Sequence, residues 1–233
     1  MLLEVDPPNL PEVEALVGAK IRTRHPAWPG WIRGHWYARE YCWILAQIGD
    51  PNGLRILDAG GCLSPLSAIL SDAGAIVTVA DARPPKPYPA KLGIACVVCD
   101  LQATGLPLGS CDAVYAASAI EHNDWDAQVR IVRHLLGLLR KGGRLLLTLP
   151  AASTRKEAWI PDFRGKGALY LWTHQAARRM RDLARDLGTL KTPLLRSYEY
   201  DRDWARIEAE MRAASPQLPD YPYQSMVLEW VRA

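Results

Sequence analysis

An α/β fold built on one doubly wound, Rossmann-like sheet is what this 233-residue chain predicts, and three observations carry the prediction. From Leu54 onward, short aliphatic and β-branched runs alternate with helical segments at the spacing of βαβ units. Several of those runs end in an aspartate or a glycine pair, at the strand ends where an open parallel sheet binds ligands. The composition, 49% hydrophobic and 23% charged, supplies apolar material for a sizeable core.

The first fifty residues read differently from the rest. Pro7, Pro8 and Pro11 mark an extended arm, and a helix from about Pro11 to Thr23 follows. His25 to Trp31 is a turn-rich loop. A second helix over about Trp36 to Ile48 places Tyr37, Tyr41, Ile44, Leu45 and Ile48 on one stripe, and Asp50-Pro51-Asn52-Gly53 ends it. Residues 1–50 are therefore expected to form a helical cap, and residues 51–233 a single sheet domain.

In that domain Leu54–Asp58 is the first strand. Ser64-Pro65 opens a helix, because serine caps well and proline at the first helical position loses no useful N–H; Gly74 stops it. Ala75–Ala80, ending at Asp81, and Ile94–Cys99, ending at Asp100, are the next strands. Asp112–Ala117 is the fourth, followed by a helix from about Asp124 to Arg140 and, after Lys141-Gly142-Gly143, a fifth strand Arg144–Leu149 closed by Pro150. Beyond it come a basic irregular stretch, a helix from Thr173 to Leu187, a strand Leu194–Tyr200, a helix Trp204–Ala213 and a last strand Ser225–Val231.

Composition closes several functional classes. No apolar run approaches the ~20 residues needed to span a bilayer, and the acidic Met1–Asp6 start is no secretory signal. Five cysteines, an odd number without framework spacing, favour reduced thiols in the cytoplasm. Net charge is +3, with a local excess at residues 151–200 of 10 Lys/Arg over 5 Asp/Glu; arginines alternating with aspartates there read as a solvated helix face. Nine Trp and nine Tyr against one Phe suit a pocket rim, since each pairs an apolar body with a polar handle.

Four strand ends hold the candidate chemistry. Asp58-Ala59-Gly60-Gly61-Cys62-Leu63-Ser64 is a tight strand-to-helix turn in which Gly60 and Gly61 let backbone N–H groups approach a ligand. Asp81, 23 residues on, with Ala82 beside it, can take two hydrogen bonds from ribose hydroxyls, although a turn aspartate has the same look. Asp100 can accept from an adenine amino group while the Leu101 N–H meets a ring nitrogen. Ser118-Ala119-Ile120-Glu121-His122 follows the fourth strand and faces the same crevice.

With these residues in place the chain resembles the class I S-adenosylmethionine-dependent methyltransferases, in their small-molecule branch, from about Leu54 to Pro150. The resemblance rests on Leu57-Asp58-Ala59-Gly60-Gly61, Val79-Ala80-Asp81, Cys99-Asp100-Leu101, Leu106-Pro107 before Cys111-Asp112-Ala113-Val114, Ile120-Glu121-His122, and Leu138 to Leu145 with its Lys-Gly-Gly. It implies seven strands in the order 3-2-1-4-5-7-6 with the seventh antiparallel. It also implies that Gly60 and its neighbours, Gly61 among them, contact the methionine part of S-adenosylmethionine or its product S-adenosylhomocysteine, that Asp81 holds the ribose, that Asp100 and the Leu101 N–H hold adenine, and that Asp58, Ala82 and Ser118 complete the cofactor site. Cys62 and Ser64 stand where the family has glycines, Cys111 where it has phenylalanine, and Pro84–Pro89 where it has a helix. A shorter similarity, Trp36 to Ile44 with Arg39-Glu40-Tyr41, is to the cap of bacterial methyltransferases encoded with glycan genes.

Competing readings weigh less. Cys96-Val-Val-Cys99 is formally CxxC, yet positions i and i+3 of a strand point to opposite faces, so no shared metal is expected there or elsewhere. A dehydrogenase needs G-x-G-x-x-G, which Gly60 to Pro65 does not supply. His122 is the candidate base for an acceptor hydroxyl, with Glu121 beside it; loop shaping is the alternative. Trp31, Trp36, Arg39 and Tyr41 on one side and Trp159 in the basic stretch on the other are candidate acceptor walls, though plain packing on the sheet accounts for such aromatics too. The expected acceptor is a small molecule or a glycan. An RNA or protein methyltransferase, and a cofactor-binding protein of this fold without methyl transfer, remain alternatives; with a pI of about 8.6 and no base-methylation tetrad after strand four, nucleic acid is disfavoured.

Overall fold

The aliphatic runs pair as their alternation predicts. In the computed structural model, which describes residues 35–61, 64–83, 93–151, 158–161, 168–191, 194–197 and 224–233, β1 (Arg55–Ala59) lies between β2 (Ile76–Asp81) and β4 (Cys111–Ala117). Both pairings are parallel, with Ile56 opposite Val77 on one side and Ala113 on the other. β3 (Ala95–Val98) extends the sheet beyond β2, and β5 (Leu139–Ala151) extends it beyond β4. Strand order thus reverses at β1, which opens a crevice beyond the carboxyl ends of β1 and β4.

The second half completes the expected seven positions. β10 (Gln224–Arg232) runs antiparallel to β5, from Gln224 opposite Ala151 to Val231 opposite Arg144. The sixth position is shared by two short strands, β8 (Gly188–Leu190) and β9 (Leu194–Ser197), which pair with opposite ends of β10. One strand over Leu194–Tyr200 was expected, so its start lies earlier and the edge is broken. β5 is also longer than expected because the Lys141-Gly142-Gly143 turn, with Gly142 at φ 74°, is folded into it.

Helices cover both faces. α3 (Trp125–Leu138) and α4 (His174–Ala184) pack with Leu57, Val114, Leu147, Leu149, Met226 and Leu228. α1 (His35–Ile48) and α2 (Leu66–Asp72) pack on the other face with Ile56, Val77, Val79, Tyr115 and Leu146. Sequence sets three of the starts: Asp124 Oδ1 accepts from the Ala127 N–H at 2.7 Å, Thr173 Oγ1 from the Ala176 N–H at 3.1 Å, and Ser64 Oγ from the Leu66 N–H at 3.1 Å. α1 places Tyr41, Trp43, Ile44 and Ile48 against the sheet. It shares the face of α2.

Two short strands, β6 (Ala158–Pro161) and β7 (Ala168–Leu171), form an antiparallel hairpin in what reads from sequence as an irregular stretch. A parallel bridge between Ala151 and Trp172 ties its base to the end of β5. The expected helices over Pro11–Thr23 and Trp204–Ala213 lie outside the described residues. Among the described residues no helix is long and apolar enough to cross a membrane.

Candidate active site

The site begins with two glycines that no other residue can replace without movement. Gly60 leaves β1 at φ 84° and donates its N–H to Ala80 O at 2.7 Å, which draws the turn against β2. A Cβ on Gly61 would fall 2.0 Å from the Asp58 carboxyl carbon. Asp58 is buried and accepts hydrogen bonds from Ser67 Oγ and, at 2.7 Å, from Tyr115 O–H. Burial pushes its carboxyl up to about 7, against the opposing pull of those hydroxyls. Asp58 is therefore turned into the protein, where it shapes the glycine turn from behind. Cys62 and Leu63 lie outside the described residues.

Two more carboxylates follow at neighbouring strand ends. Asp81, at the end of β2, is buried and accepts from the Arg83 N–H at 2.9 Å. Ala82 beside it is exposed. The Cys99 N–H donates to Asp81 O at 3.0 Å and brings the end of β3 alongside. Asp100 is exposed and accepts from the Gln102 N–H at 2.8 Å and from Gln102 Nε2 at 3.0 Å, while Leu101 is buried next to it. Both aspartates thus cap their own turns, the conformation expected of aspartate at such positions.

The turn after β4 is held by residues from three elements. Ser118 has φ 46°, the one positive φ at a non-glycine among the described residues. Its N–H donates to Thr148 O at 3.0 Å, and its hydroxyl donates to Glu40 Oε2 at 3.0 Å. Thr148 Oγ1 donates to the same Glu40 oxygen at 2.8 Å. Glu40 on α1 is 1% exposed. No sequence spacing points to it, since its partners lie 78 and 108 residues downstream.

Next in this turn, Ile120–His122 form a single 3₁₀ turn anchored by the fully buried Ile120. Glu121 is buried, and the His122 ring is 34% exposed with its Nε2 3.9 Å from Glu121 Oε1. Gln128 braces the turn from α3, donating to Asn123 O at 2.7 Å and accepting from Trp172 Nε1 at 2.8 Å. β7 packs against the 3₁₀ turn. Trp125 lies 5.9 Å from Tyr170 and 5.6 Å from Trp172, ring to ring, with the Arg179 guanidinium 3.9 Å above the Trp125 ring. No one stretch of sequence marks this aromatic group, because Trp125 on α3 meets Tyr170 and Trp172 more than 40 residues later in the chain.

The candidate acceptor residues fare unevenly. Trp31 lies outside the described residues. Trp36 and Arg39 lie on α1, and Trp159 lies on β6 opposite Tyr170. Tyr41 is 3% exposed in the core, where packing accounts for it, and Trp43 is buried there too. Cys96 packs with the α1 and α2 face and Cys99 with the α3 and α4 face, as strand geometry requires. Among the described residues no group of three His, Cys, Asp or Glu is placed to hold a metal. His134 accepts from the Thr104 N–H at 3.1 Å on the shoulder of α3, and burial lowers its pKa.

Residues 57–147 match the family described as Methyltransferase domain. No curated protein matches the chain. A Burkholderia thailandensis 1,6-didemethyltoxoflavin-N1-methyltransferase, solved with 1,6-didemethyltoxoflavin and S-adenosylhomocysteine, superposes with TM-score 0.66 at 15% identity over 100% of this chain and 94% of its own. The magnesium protoporphyrin IX methyltransferase of Synechocystis, solved with S-adenosylhomocysteine, superposes with TM-score 0.56 at 17% identity over 94% and 99%. The [4+2]-cyclase SpnF superposes with TM-score 0.65 at 15% identity over 83% and 80%.

Proposed function

We propose that the chain is a class I S-adenosylmethionine-dependent methyltransferase, a reading supported by the Methyltransferase domain match over residues 57–147 and by the shared fold, and that it methylates a hydroxyl of a small molecule or glycan with His122 as the base. The observation that carries this reading is the placement of a half-exposed imidazole on the turn after β4, one residue from a buried carboxylate and joined through Ala119 to the glycine turn.

The cofactor fits the donor set. The turn from Gly60 to Pro65 lacks the G-x-G-x-x-G spacing that holds a dinucleotide pyrophosphate, and its two glycines bring a ligand close to the main chain. Asp81 and Asp100 match the hydroxyl and amino donors of a nucleoside. When bound, S-adenosylmethionine supplies an electrophilic methyl group on a sulfonium. Gly60 and Gly61 give the ligand close access to backbone, and Asp81 and Asp100 orient its nucleoside end. His122 takes the acceptor's hydroxyl proton on a ring nitrogen, with the Glu121 carboxylate facing the charge that forms. Alignment of the two reactants is the larger contribution, since proximity can supply ~7–11 kcal/mol of a barrier.

The test is transfer of a labelled methyl group to a panel of hydroxylated small molecules and glycans. His122→Ala should lower turnover ~10²–10⁴-fold and leave S-adenosylhomocysteine affinity unchanged. Full-rate transfer by that variant removes the base from the reading. Cofactor binding without transfer to any acceptor favours the non-transferring reading, for which the fold shared with a [4+2]-cyclase is the specific support. Transfer confined to RNA or protein, with steep salt dependence, favours a polymer acceptor.

A further inference from the structure

We propose that Glu40 is a positioning residue of the methyl-transfer site: its buried carboxylate clamps Ser118 and Thr148, and so sets the turn that presents Glu121 and His122. The argument starts from cost. A carboxylate at 1% exposure on a helix that already docks through Tyr41, Trp43, Ile44 and Ile48 is a poor means of docking, because desolvating a charge opposes the gain and an aliphatic side chain would dock as well. What the carboxylate does hold is an unfavourable backbone. Ser118 occupies the left-handed region, a conformation that persists in a non-glycine residue only where the surroundings over-determine it.

The surroundings here form a closed ring. Ser118 Oγ lies 3.1 and 3.0 Å from the two Glu40 carboxylate oxygens. Thr148 Oγ1 donates to Glu40 Oε2 at 2.8 Å and accepts from the Ser118 N–H at 3.2 Å. Thr148 is paired with Ala117, the last residue of β4, so the ring bridges the carboxyl end of β4 to β5. The consequence passes in two directions along the chain. Ala119, the next residue, abuts Gly60 of the cofactor turn, and Glu121 and His122 follow within four residues of Ser118. A residue of the N-terminal helix thereby sets the spacing between the cofactor turn and the candidate base.

The inference rests on reading the 118–122 turn as part of the transfer site, and the experiment reads the turn itself, without any acceptor. In the full-length protein, the titration midpoint of the His122 ring is followed by NMR, and amide exchange is followed at Ser118. Glu40→Ala should move the midpoint away from its wild-type value and speed Ser118 exchange about 10–100-fold, the factor for losing a hydrogen bond to a charged group. Thr148→Val should act in the same direction to a smaller extent. Glu40→Gln, which keeps the shape and an accepting oxygen, should restore most of the exchange protection. Ile44→Val, which loosens the same helix, should lower the melting temperature and leave both signals at wild-type values. Wild-type signals in Glu40→Ala, or equal shifts from Ile44→Val, would overturn the proposal. A His122 that responds to Glu40 but proves dispensable for methyl transfer would overturn the base assignment alone.

Discussion

Gly60 and Ala119 meet at a distance that leaves no room for a single added carbon: a Cβ on Gly60 would stand 2.5 Å from the Ala119 Cβ. The turns after β1 and β4, about sixty residues apart in sequence, are packed in contact at the floor of the crevice. Gly60→Ala should therefore destabilise the protein by about 2–4 kcal/mol in urea unfolding, through overpacking and through the positive φ together. Combining it with Ala119→Gly should recover the overpacking part and leave the φ part. Additive losses in the double variant would show that the two turns do not press on each other.

Asp58 makes stability depend on pH in a direction opposite to that of most carboxylates. Its folded-state pKa is raised from 3.8 to about 7, so between those values the folded protein binds a proton that the unfolded chain has released. Stability from this group is present at acid pH and is lost as pH rises through that window, by on the order of 4 kcal/mol. Asp58→Asn, neutral at every pH, should remove the slope. Urea unfolding of both proteins between about pH 4 and pH 8 checks it, and curves that stay parallel would place the charge of Asp58 elsewhere.

Of the two candidate nucleoside carboxylates, Asp81 is buried and Asp100 is exposed. Asp81→Ala should raise the dissociation constant of S-adenosylhomocysteine about 10–100-fold in calorimetry, and Asp100→Ala less, because hydrogen bonds made in water's presence are worth less. Unchanged affinity in the Asp81 variant moves the ribose contact to another residue.

The parts of this molecule legible in its sequence are those where one short stretch carries the whole instruction. β1 to β5 announce themselves by aliphatic runs, and Asp124 and Thr173 cap their helices within three residues. The glycine turn, Asp81, Asp100 and the 118–122 turn are read the same way, each from the end of its own strand. The hairpin of β6 and β7 escapes because four-residue strands do not show alternation. The broken edge at β8 and β9 escapes because its register is set by β10, whose partner residues lie 27 to 44 residues later. Trp43 lies outside the Tyr37–Ile48 stripe and is buried all the same, since helix α1 packs on its face of the sheet more broadly than one stripe. Glu40 was read only as part of a short similarity, because nothing local to a glutamate on a helix reveals hydroxyls that arrive from other strands.

Those distant hydroxyls also tie the helix to the sheet energetically. Glu40 gives up its water in exchange for Ser118 and Thr148, 78 and 108 residues away in the chain. Both lie at the rims of β4 and β5, so the burial of this carboxylate is compensated only where those two strands are paired. Loosening the β4–β5 edge therefore leaves a desolvated charge on α1 without its partners, and the helix and the sheet edge share one stability.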